Sequence, residues 1–162
     1  METGELVIQT ESVAETQNLG ARLARWLSHG DVLALVGDLG AGKTAFTQGL
    51  ARGLGITAPV TSPTFTLINE YRTANGILLQ HVDCYRANDA PLEMWDAGLT
   101  ELLASEDIVV IEWADRIRGL LPADYIEITF DYLNEDGRRL RFLAYGERYV
   151  NLLEQVAVRL PR

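Results

Sequence analysis

The chain has 162 residues, 48% apolar and 23% charged, with a formal net charge of −9, enough for a substantial core in one domain spanning 1–162. The negative charge excludes a general nucleic-acid-binding surface and leaves only a locally concentrated cationic site. The lone cysteine, Cys84, excludes a disulfide framework and a cysteine-rich metal centre, and no apolar run approaches membrane-spanning length.

Acidic residues stand too early for a secretory leader, so a reducing cytoplasm is the expected location. Residues 6–9 (LVIQ) read as a short strand. Ser12 with Glu15 three residues later matches a capping box. The helix it opens places Leu19, Leu23, Trp26 and Leu27 on one face and is expected to end near Gly30. Asp31 leads into an apolar run of strand length at 32–36.

Residues 37–44 then read GDLGAGKT, the Walker A pattern G-x-x-x-x-G-K-T. Apolar residues at 46, 50 and 54 follow at helical spacing, and Gly55 is a plausible stop, so the motif sits between a strand and a helix as it must. Gly37, Gly40 and Gly42 permit dihedrals closed to other residues and let an anion come close. The backbone of Gly37, Asp38, Leu39, Gly40, Ala41, Gly42, Lys43 and Thr44 is the expected nucleotide cradle. Its successive N–H groups form a nest, reinforced by the positive end of the following helix. Lys43 is placed to reach the β and γ phosphates, and the Thr44 hydroxyl to ligate Mg²⁺. Lys43 is also the only lysine, against thirteen arginines. A glycine-rich turn with an accidental lysine is the competing reading.

Prolines and small hydroxylated residues make 58–66 a loop. Within it Ser62-Pro63-Thr64-Phe65 is a candidate switch whose hydroxyls meet Mg²⁺ or the γ-phosphate; a plain proline turn is the alternative. Strands are expected at 67–72 and 77–84 around the hairpin turn Asn75-Gly76. Residues 91–104 read as helix interrupted at Gly98. The buried strand 107–111 ends in Glu112-Trp113, and a short helical piece and Pro122 follow. Strands at 125–130 and 140–145 alternate around a turn at 134–137. A terminal helix at 147–160 turns Val150, Leu153 and Val156 or Ala157 inward. The expected fold is α/β: a three-layer P-loop NTPase domain whose mixed sheet has a parallel centre and antiparallel hairpins.

A phosphate cradle also needs an acidic metal partner. Two apolar strands end in one, at Asp83 and at Glu112, and such strand ends gather at the ligand crevice. Each alone also reads as an ordinary strand-end carboxylate. His81 is a candidate to polarise water or a structural strand residue, and Trp113 a candidate to stack near the nucleotide or a core residue. The guanine-recognition pattern Asn/Thr-Lys-x-Asp needs a second lysine, which the chain lacks, so ATP is favoured over GTP.

Four motifs in register carry a resemblance that covers most of the chain. GDLGAGKT at 37–44, SPTFTL at 62–67 with NEY at 69–71, HVDCYR at 81–86 and IEW at 111–113 resemble the TsaE (YjeE) family of bacterial ATPases. Cys84 departs slightly from the leucine often found there. The resemblance implies an ATP-binding and hydrolysing protein that works with TsaD and TsaB in making threonylcarbamoyladenosine in tRNA. TsaD and TsaB carry out the transfer, the ATPase resets the complex between turnovers, and tRNA is engaged indirectly. It implies Lys43 and Thr44 for phosphate and Mg²⁺, Glu112 as the Mg²⁺-associated acid, and Asp83 as a second acid, metal-linked or catalytic. Thr64 falls in the switch-like loop, Trp113 at a nucleotide-side tryptophan, and Arg138 in a Gly-Arg pair near the nucleotide.

Two other classes compete with an ATPase. A small-molecule or nucleoside kinase shares the loop and the size, and needs mobile arginines over the phosphates. Arg138, Arg139 and Arg141 offer such a set, or simple alternation on an exposed hairpin. A nucleotide-gated adaptor without turnover is the third.

Overall fold

Near-continuous apolar runs such as 32–36 and 108–111 belong in the interior of a sheet covered on both faces. The structure, a computed structural model, describes residues 3–63 and 67–159 and places them there. In chain order the elements are β1 (Thr3–Thr10), α1 (Val13–Leu23), β2 (Val32–Gly37), α2 (Lys43–Gly53), β3 (Ile68–Arg72), β4 (Leu78–Asp83), α3 (Ala90–Asp96), α4 (Leu99–Leu103), β5 (Ile108–Glu112), β6 (Tyr125–Tyr132), β7 (Arg138–Tyr145) and α5 (Glu147–Arg159). Short 3₁₀ segments follow α1 at Ala24–Trp26 and β5 at Ala114–Leu120.

The strands form one sheet in the order β1-β7-β6-β2-β5-β4-β3. Its centre, β6-β2-β5-β4, is parallel. Antiparallel β7 and β1 extend one edge and antiparallel β3 the other, so the expected mixed sheet is observed. On one face Leu33, Leu35, Val110, Ile126 and Ile128 pack against Leu19, Leu23, Phe46, Leu50, Leu153 and Val156 from α1, α2 and α5. On the other, Ala34, Val82, Val109 and Ile111 pack against Met94, Leu99 and Ile117. Cys84 is fully buried there, and burial pushes its thiol up to about 12.

Local signals account for most element ends. Ser12 Oγ accepts from the Glu15 N–H at 3.1 Å, and Glu15 Oε2 reaches back to the Glu11 N–H, so the expected capping box forms one residue wider than its usual shape. Helix 91–104 breaks at Gly98 as expected. The structure departs from the expected pattern in several places. The first helix tightens to 3₁₀ at Ala24 and Leu27 is extended, so it stops short of Gly30. β1 and β7 are longer than their apolar cores, because pairing runs unbroken from Thr3↔Tyr145 to Thr10↔Arg138. In α5, Tyr149 and Leu152 are buried beside Leu153 and Val156.

Two contacts fix the strand that feeds the site. Arg148 grips Asp31 with Nε and Nη2, at 3.0 and 2.6 Å, and the Val32 N–H donates to the Tyr149 hydroxyl at 3.0 Å. Helices α1 and α2 also touch backbone to backbone. A Cβ added to Gly49 would lie 1.8 Å from the Gln17 carbonyl oxygen, and one added to Gly20 would lie 2.3 Å from that of Phe46.

Candidate functional site

β2 delivers the chain to the loop at 37–42, and α2 begins directly at Lys43. Gly42 stands at the helix N-cap with φ 106°, a conformation that glycine adopts without a Cβ penalty. No side chain caps this helix, so its first N–H groups remain for an anion.

Lys43 is only 4% exposed. Its Nζ donates to the carbonyls of Gly37 (2.5 Å) and Asp38 (2.9 Å) and lies 4.2 Å from the centre of the Trp113 ring. Burial pulls the lysine pKa down, while the carboxylates of Glu112, Asp83, Asp115 and Asp38 oppose the shift. A desolvated cation among acids, on a helix N-terminus, is suited to meeting phosphate charge.

Glu112 is the hub of the acidic side. Its Oε1 accepts from Thr44 Oγ1 at 3.0 Å, and its Oε2 meets His81 Nε2 at 2.5 Å. Thr44 Oγ1 also lies 3.1 Å from Ser62 Oγ. Asp83 and Glu112 are paired neighbours at the ends of parallel β4 and β5. Burial raises the Asp83 pKa, with Glu112 adding to the rise, while a 2.9 Å bond from the Tyr85 N–H opposes it. His81 is fully buried and positions Glu112 rather than facing open solvent. Trp113 has φ 59° and ψ 39°, a left-handed conformation rare for a bulky residue. That turn sets its ring near Lys43 and stacks it on Tyr85, centroids 4.8 Å apart.

These groups share one cavity of ≈ 370 Å³, bordered by residues 39–44 and by Ser62, Asp83, Glu112, Trp113 and Arg138. Gly37 and Asp38 contribute through the carbonyls that hold Lys43. Thr64, the switch candidate, lies outside the described residues. Arg138 borders the cavity, but its guanidinium donates to the carbonyls of Ala41 and Gly40 in the loop itself. Arg139 and Arg141 project from β7 on the opposite face from Arg138 and are exposed, which resolves the arginine set in favour of strand alternation.

Arg86 closes the HVDCYR motif, but sequence reasoning gave it no role. It lines the cavity, is exposed, and makes no hydrogen bond or ion pair among the described residues. The signal was present, since Arg86 lies three residues after Asp83 on a loop leaving a strand end. Arg116 pins that loop by donating to the carbonyls of Cys84, Tyr85 and Ala87.

The oxygen donors of Thr44, Asp83 and Glu112 suit a hard cation such as Mg²⁺. Among the described residues no group of three His, Cys, Asp or Glu side chains is disposed to hold a metal unaided. No described helix is long and apolar enough to cross a membrane.

Comparison with known proteins identifies relatives of the chain. The family model described as "Threonylcarbamoyl adenosine biosynthesis protein TsaE" matches residues 10–140. The tRNA threonylcarbamoyladenosine biosynthesis protein TsaE of Bacillus subtilis is 42% identical over 154 residues, covering 94% of each chain. Its namesake from a Nostoc species is 45% identical over 136 residues, 81% of each. The crystal structure of Bacillus subtilis YdiB superposes with a TM-score of 0.82 at 36% identity, over 98% of this chain and 97% of that one. The chain belongs to the TsaE family of threonylcarbamoyladenosine biosynthesis proteins.

Proposed function

We propose that this chain is the ATP-hydrolysing member of the machinery for tRNA threonylcarbamoyladenosine biosynthesis. It converts ATP to ADP and phosphate with Mg²⁺, acts with TsaD and TsaB homologues, and resets their complex between turnovers. The observation that carries this reading is the double engagement of Glu112, with Thr44 on one oxygen and His81 on the other, in the cavity that holds Lys43 and Asp83.

Each group has a task in that reading. The N–H groups at the start of α2 and the Lys43 ammonium bind the β and γ phosphates. Lys43 leaves the carbonyls of Gly37 and Asp38 to do so. Thr44 and Glu112 would hold Mg²⁺, with Asp83 beside them, and the ion would supply positive charge against the phosphates. Asp83, half-buried and next in register to Glu112, orders water at the γ-phosphate. Arg86, unpaired among the described residues, supplies charge to the departing phosphoryl group.

The test is phosphate release by the purified chain, alone and with TsaD and TsaB homologues. Unaltered protein is expected to turn over ATP faster in their company, and Lys43→Ala to lose both nucleotide binding and turnover. Hydrolysis unchanged in Lys43→Ala would refute the site. A phosphorylated acceptor in place of free phosphate would make the chain a kinase. ATP-dependent assembly without turnover would make it an adaptor.

A further inference from the structure

Arg138 is a buried cation, 9% exposed, at the first position of β7. Every hydrogen bond it makes among the described residues goes to a main-chain carbonyl. Nε donates to Ala41 at 3.1 Å and Nη2 to Gly40 at 3.1 Å. Nη1 donates to Asn134 (2.9 Å), Glu135 (3.2 Å) and Gly137 (2.7 Å). The guanidinium also lies 4.6 Å from the centre of the Tyr132 ring, and the side-chain stem runs past Gly42. A fork of fixed N–H directions is what spanning two loop carbonyls and a turn requires, and a single ammonium cannot reproduce it.

The consequence lies in the peptide planes. A carbonyl and the next residue's N–H share one rigid plane and point in opposite directions. Holding the Ala41 carbonyl on Nε turns the Gly42 N–H the other way, among the orphan donors that open α2. Holding the Gly40 carbonyl fixes the Ala41 N–H, which donates to the Asp38 carbonyl at 3.0 Å. That same carbonyl accepts from Lys43 Nζ. One side chain thus braces both the anion-binding N–H array and the turn against which the lysine rests.

We propose that Arg138 is a positioning residue for phosphate binding, holding two of the loop's peptide planes from outside so that the Gly42 N–H faces the triphosphate and the Ala41 N–H keeps the turn onto Asp38 that supports it. This deepens, and rests on, the nucleotide-binding reading above. The brace acts on the cradle before and after hydrolysis alike, so it sets affinity rather than the chemical step.

The experiment is calorimetric titration of the full chain with ADP and with Mg²⁺-ATP, paired with steady-state kinetics, for unaltered protein, R138A and R138K. Expected for R138A is a rise of about tenfold or more in Kd for both nucleotides, with KM rising in step. The kcat at saturation should stay within about threefold, and R138K should fall between. A lowered Tm with Kd unchanged below the melting range would mean a purely structural role and overturn the proposal. If R138A does not fold, unchanged nucleotide affinity in folded R138K overturns it equally. Failure of the unaltered chain to bind either nucleotide would instead overturn the site reading beneath it.

Discussion

Each oxygen of Glu112 has its own partner, and this settles which substitutions separate binding from chemistry. Replacing the carboxylate with an amide keeps the shape and the contact to Thr44 but removes the negative charge that, in the proposed function, would hold Mg²⁺. Glu112→Gln is expected to lower turnover by roughly 100-fold or more while leaving ADP affinity within about threefold. Arg86→Ala should show the same split for a different reason, because its charge matters most once the phosphoryl group begins to leave. Parallel titration and phosphate-release measurements check both, and equal losses in binding and turnover would contradict the assignment. The acids were legible in the sequence because an apolar run ending in a carboxylate is a local pattern. The strained backbone of Trp113 was not, since nothing in Ile-Glu-Trp announces a left-handed turn; it follows from what the ring must reach.

At the scale of elements, the P-loop helix is held by glycine contact as much as by apolar packing. Gly49 sits where α2 meets the Gln17 carbonyl, and Gln17 Nε2 donates to Gln48 Oε1 at 3.2 Å on the same seam. Gly49→Ala would force the helices apart. The expected cost is about 3 kcal/mol or more of stability, because the obstacle is backbone and cannot rotate away. Urea denaturation checks this, and a loss under about 1 kcal/mol would show that α1 slides without resistance. Periodicity at 46, 50 and 54 announced the apolar face of α2 correctly, since Phe46 and Leu50 are fully buried. It was silent on the glycine seam, because a close approach depends on a partner helix that spacing within one helix does not encode. Arg138 shows the same division. Strand alternation gives the face it occupies, but its reach to Gly40 and Ala41 depends on the chain's return past the loop.

At the scale of the whole molecule, a net charge of −9 surrounds one small cationic cradle. Such a surface repels polyphosphate except at that point, so tRNA should not bind the isolated chain. In a mobility-shift assay at about 0.15 M salt, tRNA is expected to run unretarded beside this chain alone. Retention of tRNA in the absence of other proteins would show a basic surface that the composition hides. The sheet order was legible in outline, since the hairpins at 75–76 and 134–137 are local and buried runs seek the middle. The lateral order of the parallel strands is set by long-range packing and left no local trace.

The indole of Trp113 carries an optical consequence. Its ring is a chromophore with a positive charge 4.2 Å from its centre, and that charge belongs to Lys43. Whatever draws the ammonium toward phosphate changes the electric field across the ring. Once Trp26 and Trp95 are replaced by phenylalanine, the emission of Trp113 thus becomes a built-in gauge of whether the lysine is parked or engaged, read without any added label.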